Sequence, residues 1–144
     1  MSDVPGCPIC EAHRDGGRRE SLYADAHVVA AHAPVDLVRG YLGYLFVETR
    51  RHVPGLAART DAEACAEAVL VTRLARALEA AGAEHVYAFV FDHTPHHHVH
   101  VIARHPGTPR EFWGPTIDEW PDAPRGDAEA TRAFCDRLRG MLAD

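Results

Sequence analysis

The chain has 144 residues, 47% of them hydrophobic and 25% charged, with a formal net charge of −6. That size and balance suit one globular domain able to bury roughly two-thirds of its unfolded surface, and the negative charge argues against an extended grip on nucleic acid, though not against a local basic pocket for one phosphate. No apolar run approaches the ~20 residues that span a bilayer; the polar opening MSDVPGCPICEAHRDGGRRE carries no export signal, so a cytoplasmic protein without membrane association is expected.

In chain order, Cys7 and Cys10 form a Cys-x-x-Cys pair; a reducing compartment argues against a disulfide framework, and an isolated pair of this kind is either incidental or half of a metal site. The stretch YADAHVVAAHAP, residues 23–34, carries a short Val/Ala strand signal ended by Pro34. A second strand is expected from Tyr41 to Glu48, closed by the turn at Pro54-Gly55. The clearest helix covers residues 60–82: Thr60 and Glu63 make a capping box and Gly82 is a natural terminator. Val71, Leu74, Leu78 and Ala81 give that helix a buried side. Residues 85–91 and 96–104 read as antiparallel strands joined by a turn at Asp92–Pro95. A Pro- and Gly-rich ordered loop containing Phe112, Trp113 and Trp120 follows, then a helix over about residues 127–142 with Phe134, Leu138 and Leu142 on one stripe. Cys65 and Cys135, alone in helical patterns, are expected to be small buried hydrophobes. Nothing divides the chain, so residues 1–144 form a single α+β domain with a mostly antiparallel sheet, one long helix and a C-terminal helix.

The stretch HTPHHHVHVIARHPG, residues 93–107, holds six of the eleven histidines. On a strand, alternate side chains share a face, so His96, His98 and His100 point one way, continued by Ile102 and Arg104. His97, Val99, Val101 and Ala103 point the other, as suits packing beneath a helix. The three imidazoles stand about 6 to 7 Å apart at ~3.3 Å per residue, too far for all to bind one ion without bending the strand. They suit an extended anionic group, because a neutral imidazole is a nucleophile near pH 7 and its neighbour can hydrogen-bond the charge that develops. A surface histidine tract or a metal-buffering tract would not need this alternation.

His96-His97-His98-Val99-His100-Val101-Ile102 resembles the His-φ-His-φ-His-φ-φ signature of the histidine triad (HIT) superfamily of nucleotide hydrolases and transferases, φ being hydrophobic. GYLFVETRRHVPGL, with His52, resembles that family's strand and turn before the signature, and CPIC resembles the Cys-x-x-Cys of many bacterial members. The resemblance spans residues 7–105, with 106–144 adding the C-terminal loop and helix. It implies a HIT-like fold in which His98 attacks the α-phosphorus of a nucleotide conjugate, giving a nucleotidyl-histidine intermediate that water or another acceptor displaces. It assigns His100 to the phosphate oxygens or leaving group and His96 to the catalytic set as an orienter or to zinc. It further implies a structural zinc held by Cys7, Cys10, His52 and His96, and a homodimer through the long helix and adjoining strand; His13, close behind the Cys-x-x-Cys, competes with His52 as a ligand on position alone. The Val71/Leu74/Leu78 stripe suits that contact or the core equally well.

Three departures bear on substrate, one being that Thr49 stands where the family's Pro-Lys-x-His has its proline. The segment before the triad, FDHTPH, lacks the family's Gly and Gln, leaving Thr94 or His93 to meet phosphate. The ribose-gripping acid has Asp36 as a candidate, although counting from His27 lands at His32 or Ala33 instead. Arg104 is placed to meet a distal phosphate or to pair with a carboxylate. Trp113 and Trp120 are candidates for base stacking, a dimer interface or a loop anchor, and Tyr41 and Tyr44 for sheet packing. The competing functional reading is a non-catalytic nucleotide- or zinc-binding module on the same scaffold.

Overall fold

The computed structural model describes residues 3–15 and 19–143. Its elements are α1 (Pro8–Arg14), β1 (Ser21–Ala24), β2 (Val28–His32), β3 (Tyr44–Thr49), α2 (Asp61–Ala80), β4 (His85–Val90), β5 (His98–Arg104) and α3 (Ala128–Leu142). The five strands form one antiparallel sheet in the order β1-β2-β3-β5-β4. The triad strand β5 is thus interior, between the central β3 and the edge strand β4.

Sequence alternation gives the sheet two dissimilar faces. Leu45, Val47, Val99, Val101 and Ala103 face α2 and α3, where Leu70, Leu74, Leu78, Phe134 and Leu138 complete the main core. Tyr44, Phe46, Tyr87, Phe89 and Ile102 face the other way and join a smaller core with Tyr41, Ile117 and Ala123. The loop between β5 and α3 is ordered because it packs on this second face. Its anchors are Ile117, fully buried, and Trp120, which packs on the same cluster; Trp113 remains 37% exposed, with the Arg104 guanidinium 3.7 Å over its ring.

Local chemistry fixes the element ends. The Thr60 hydroxyl accepts from the Glu63 amide and Glu63 accepts from the Thr60 amide, so both halves of the capping box at α2 are made. Leu74 and Leu78 are buried as expected, whereas Val71 and Ala81 are half-buried. The Asp127 carboxylate caps α3 on the Ala130 amide. Cys135 is buried, but Cys65 lies on the outer face of α2 and is exposed, contrary to the expectation that both are core residues. The helical phase that buries Leu70 and Leu74 turns Cys65 away from the sheet.

Two strand boundaries differ from those expected. β1 is a separate strand, formed because Asp25 Oδ1 accepts from the amides of His27 and Val28 and turns the chain back on itself. β3 begins at Tyr44, not Tyr41, because Gly43 has φ +90 and a Cβ there would stand 2.9 Å from the Ala103 Cβ. The pair needs glycine both for its backbone and for close approach of the two strands. Similarly, β5 begins at His98, with His96 and His97 immediately ahead of it.

Candidate active site and metal centre

α1 is short, and its position is set by the Cys-x-x-Cys. Cys7 is its N-cap and Pro8 opens its first turn, a position where proline's missing N–H costs nothing. Cys7 and Cys10 are both buried, facing the segment after β3 and the approach to β5. There the Cys10 Sγ lies 3.4 Å from His52 Nδ1, and the His96 Nδ1 lies 3.5 Å from both sulfurs. The four ligand atoms fall within 4.8 Å of one another. A sulfur and a nitrogen on a tetrahedral zinc ion, at ~2.3 and ~2.05 Å, stand about 3.5 Å apart, so the donor set and its spacing both fit that metal. The His96 Nε2 donates to the Thr49 carbonyl at 2.6 Å, which fixes the ring and presents Nδ1 to the sulfurs. His13, the competing ligand, is drawn elsewhere: its Nε2 is 2.8 Å from Glu48 Oε1.

Two residues further along, the same chemistry is arranged differently. The His98 Nδ1 is 2.8 Å from the His96 carbonyl oxygen, which only accepts, so Nδ1 carries the proton and Nε2 keeps its lone pair. The His100 Nδ1 is 2.8 Å from the Tyr44 hydroxyl. Burial pushes the Tyr44 phenol up to about 12, so it keeps its proton, and where that proton is donated to Nδ1 the His100 proton is on Nε2. That Nε2 is buried and has no hydrogen-bond partner among the described residues. Burial, with His98 and His93 nearby, pushes the His100 pKa down to about 4, so the ring is neutral at pH 7. The His98 and His100 rings are 5.0 Å apart. The fixed lone pair of His98 therefore stands beside a second neutral imidazole whose Nε2 is unpartnered among the described residues.

His98 opens onto a cleft of about 730 Å³. Its apolar wall includes Pro8, Ile9, Ala12, Pro34, Leu37 and Phe46; its polar wall includes Thr94, Glu48, Arg19, Glu11 and Asp15. Thr94 lines the same cleft as His98. Asp36 is exposed on the segment that supplies Pro34 and Leu37, but its own side chain does not line the cleft. Arg104 is engaged at the far end of β5, where it donates to Glu84 and to the Tyr87 hydroxyl. His97 faces α2, as parity requires, and meets the Glu67 carboxylate at 2.6 Å; Glu67 also accepts from Arg59.

Sequence reasoning did not find Glu48, Arg19 or the role of Tyr44. Glu48 is 1% exposed, pairs across the strands with His98, and accepts from both Arg19 and His13. Burial works against its charge, yet His13 and Arg19 together hold the carboxyl below the usual range. A signal for Tyr44 and Glu48 existed: on β3 they share parity with Phe46, so all three lie on one face.

No family profile matches the sequence and no curated protein matches it. Solved structures do match. A HIT-like protein involved in cell-cycle regulation from Bartonella henselae superposes with a TM-score of 0.72 at 15% identity, over 98% of this chain and 99% of that one. A Zn-bound histidine triad family protein from Mycobacterium smegmatis gives 0.70 at 19% identity, over 96% and 94%. A hypothetical histidine triad nucleotide-binding protein from Sulfolobus tokodaii gives 0.70 at 17% identity, over 95% and 92%. The chain therefore has the histidine triad fold. Its triad strand, Cys-x-x-Cys and His52 stand within that fold as a Cys2His2 cluster beside a pair of buried histidines.

Proposed function

We propose that the protein is a nucleotide hydrolase or nucleotidyltransferase that acts at the α-phosphate of a nucleotide conjugate through His98. The observation that carries this reading is the hydrogen bond from His98 Nδ1 to the His96 carbonyl, which leaves the Nε2 lone pair for attack. The cleft supports it, with an apolar wall suited to a base and a polar wall suited to a phosphate. In the first step the His98 Nε2 forms a bond to phosphorus while the bond to the leaving group breaks. The leaving group departs with the electron pair and takes a proton from solvent. The His100 Nε2–H donates to a non-bridging oxygen, stabilising the charge that gathers there. Because Nδ1 of His98 keeps its proton, the nucleotidyl-imidazole is cationic and a good leaving group in turn. Water or another acceptor then attacks phosphorus and forms a P–O bond, the P–N bond breaks with its electron pair returning to Nε2, and the proton of the attacking group passes to solvent.

Cys7, Cys10, His52 and His96 would hold a zinc ion whose contribution is to cross-link α1 to the sheet. The Mycobacterium smegmatis structure is Zn-bound, which supports that assignment. The same reading carries a cytoplasmic homodimer: β4 is a free sheet edge, and Val90 on it and Val69 on α2 are exposed. No helix among the described residues is long and apolar enough to cross a membrane.

The direct test is turnover of adenosine phosphoramidate and of dinucleoside polyphosphates by wild type and His98→Ala. Loss of at least about a thousandfold in kcat/KM is expected in the variant. Retained turnover by His98→Ala would overturn the nucleophile assignment. Nucleotide binding without turnover by wild type would assign a non-catalytic module instead.

A further inference from the structure

The segment before the triad offers only Thr94 to a phosphate, and the acids Glu11 and Asp15 on the same wall repel one. A cation must come from elsewhere if an anionic group is to sit beside His98. Arg19 stands just ahead of β1, distant in sequence from the triad, yet it lines the same cleft as His98 and Thr94. Its side chain is only 12% exposed.

The way Arg19 is held is informative. Its two terminal nitrogens each meet a Glu48 oxygen, NH2 to Oε1 at 3.0 Å and NH1 to Oε2. Glu48 is fixed in turn by its place on β3, opposite His98, and by His13. An end-on pair of this kind uses two of the five guanidinium donors and locks the plane of the fork. It leaves the Nε–H uncommitted, and Arg19 Nε is buried with no partner among the described residues. A buried cationic donor without an acceptor is costly, and the second N–H on each terminal nitrogen, which the Glu48 pair leaves unused, is what an oxyanion in the cleft would meet. Burying Glu48 at the centre of a sheet is also costly when its same-face neighbours on β3 are Tyr44 and Phe46. The pair is therefore unfavourable as mere filling.

We propose that Arg19, oriented by Glu48, binds the phosphate of the nucleotide and positions it against His98. Arg19 is the substrate-binding residue and Glu48 a positioning residue that also tempers its charge. This inference rests on the nucleotide reading of the cleft. The alternative is that the pair only pins the chain between α1 and β1.

The experiment is equilibrium binding of AMP and of adenosine to metal-loaded protein, with melting temperatures measured in parallel, for wild type, Arg19→Ala, Arg19→Lys, Glu48→Gln and the double variant Arg19→Ala/Glu48→Gln. Arg19→Ala should weaken AMP by about ten- to a hundredfold, the range for losing one charge-assisted hydrogen bond, and Arg19→Lys should recover part of it. Glu48→Gln should tighten AMP by about threefold or more, because it removes the compensating charge. Adenosine affinity should not change in any of them. The double variant leaves no unpaired buried charge, and it carries the test if Arg19→Ala fails to fold; it should bind AMP more weakly than Glu48→Gln. Equal loss of AMP and adenosine, or AMP binding unchanged on removal of Arg19, would overturn the inference alone. Failure of wild type to bind AMP would overturn the nucleotide reading and the inference together.

Discussion

A neutral imidazole has one N–H and one lone pair, and the partner of one nitrogen decides what the other can do. His98 is backed by a carbonyl and presents a lone pair; His100 is backed by a phenol and presents an N–H on Nε2 when that phenol donates. Tyr44→Phe removes only the donor behind His100 and leaves the ring packing in place. It is expected to lower kcat about tenfold with little change in KM, and to mix the two tautomers of His100 in its ¹⁵N NMR shifts. Unchanged kcat and a single Nε2–H tautomer would show that Tyr44 does not set the ring. The His98/His100 pair was legible in the sequence because its spacing is internal to one strand, with His96 two residues ahead of it. Tyr44, Glu48 and Arg19 were not, because their roles depend on the register between β3 and β5 and on a segment arriving from 79 residues before His98.

Elements differ in what holds them. α2 is secured by its capping box and by Leu70, Leu74 and Leu78, and was legible almost to its ends. Thr60→Ala should cost about 1 kcal/mol, and Leu74→Ala about 2 to 5 kcal/mol, both measurable by urea denaturation. α1 is different. Its seven residues are too few to form an isolated helix, and its sequence carries no helical periodicity long enough to read. Its buried contacts are Cys7 and Cys10, so the ligand cluster is what fixes it, and α1 also supplies Pro8, Ile9, Glu11 and Ala12 to the cleft. Removing metal with a chelator, or substituting Cys10→Ser, should speed amide hydrogen exchange across residues 8–14 while β3 and β5 stay protected. AMP affinity should fall with it. Slow exchange in α1 after metal removal would mean that its remaining contacts suffice.

At the scale of the whole molecule, burial lowers the pKa of several histidines. His32, buried between Ala33 and Gly43, and His105, donating to the Leu42 carbonyl, are both pushed down by desolvation, as is His100 to about 4. A histidine whose folded pKa lies below its unfolded value binds fewer protons when folded, so it stabilises the fold fully above about pH 6.5. As pH falls from there toward 4 that stabilisation is lost, at up to about 1.4 kcal/mol per pH unit for each such group. Urea denaturation should therefore give a plateau above pH 7 and a steep decline below 6.5, and His100→Gln should make the decline shallower. An equal slope in that variant would remove His100 from the account. Sedimentation gives the other whole-molecule check: the expected species is a dimer, and a monomeric mass would dispose of it.

The ligand cluster also has a consequence for the order in which the chain assembles. Cys10 is 42 residues from His52 and 86 from His96, so the cluster exists only when both ends of large loops have met. During synthesis the two cysteines wait for β3 and then for β5 before their partners are in place. Segments made early are thus fixed late, and metal capture becomes a record that the central strands have paired. Pulse-labelling of Cys7 and Cys10 with a thiol reagent during refolding should show them reactive until β5 is protected, then silent.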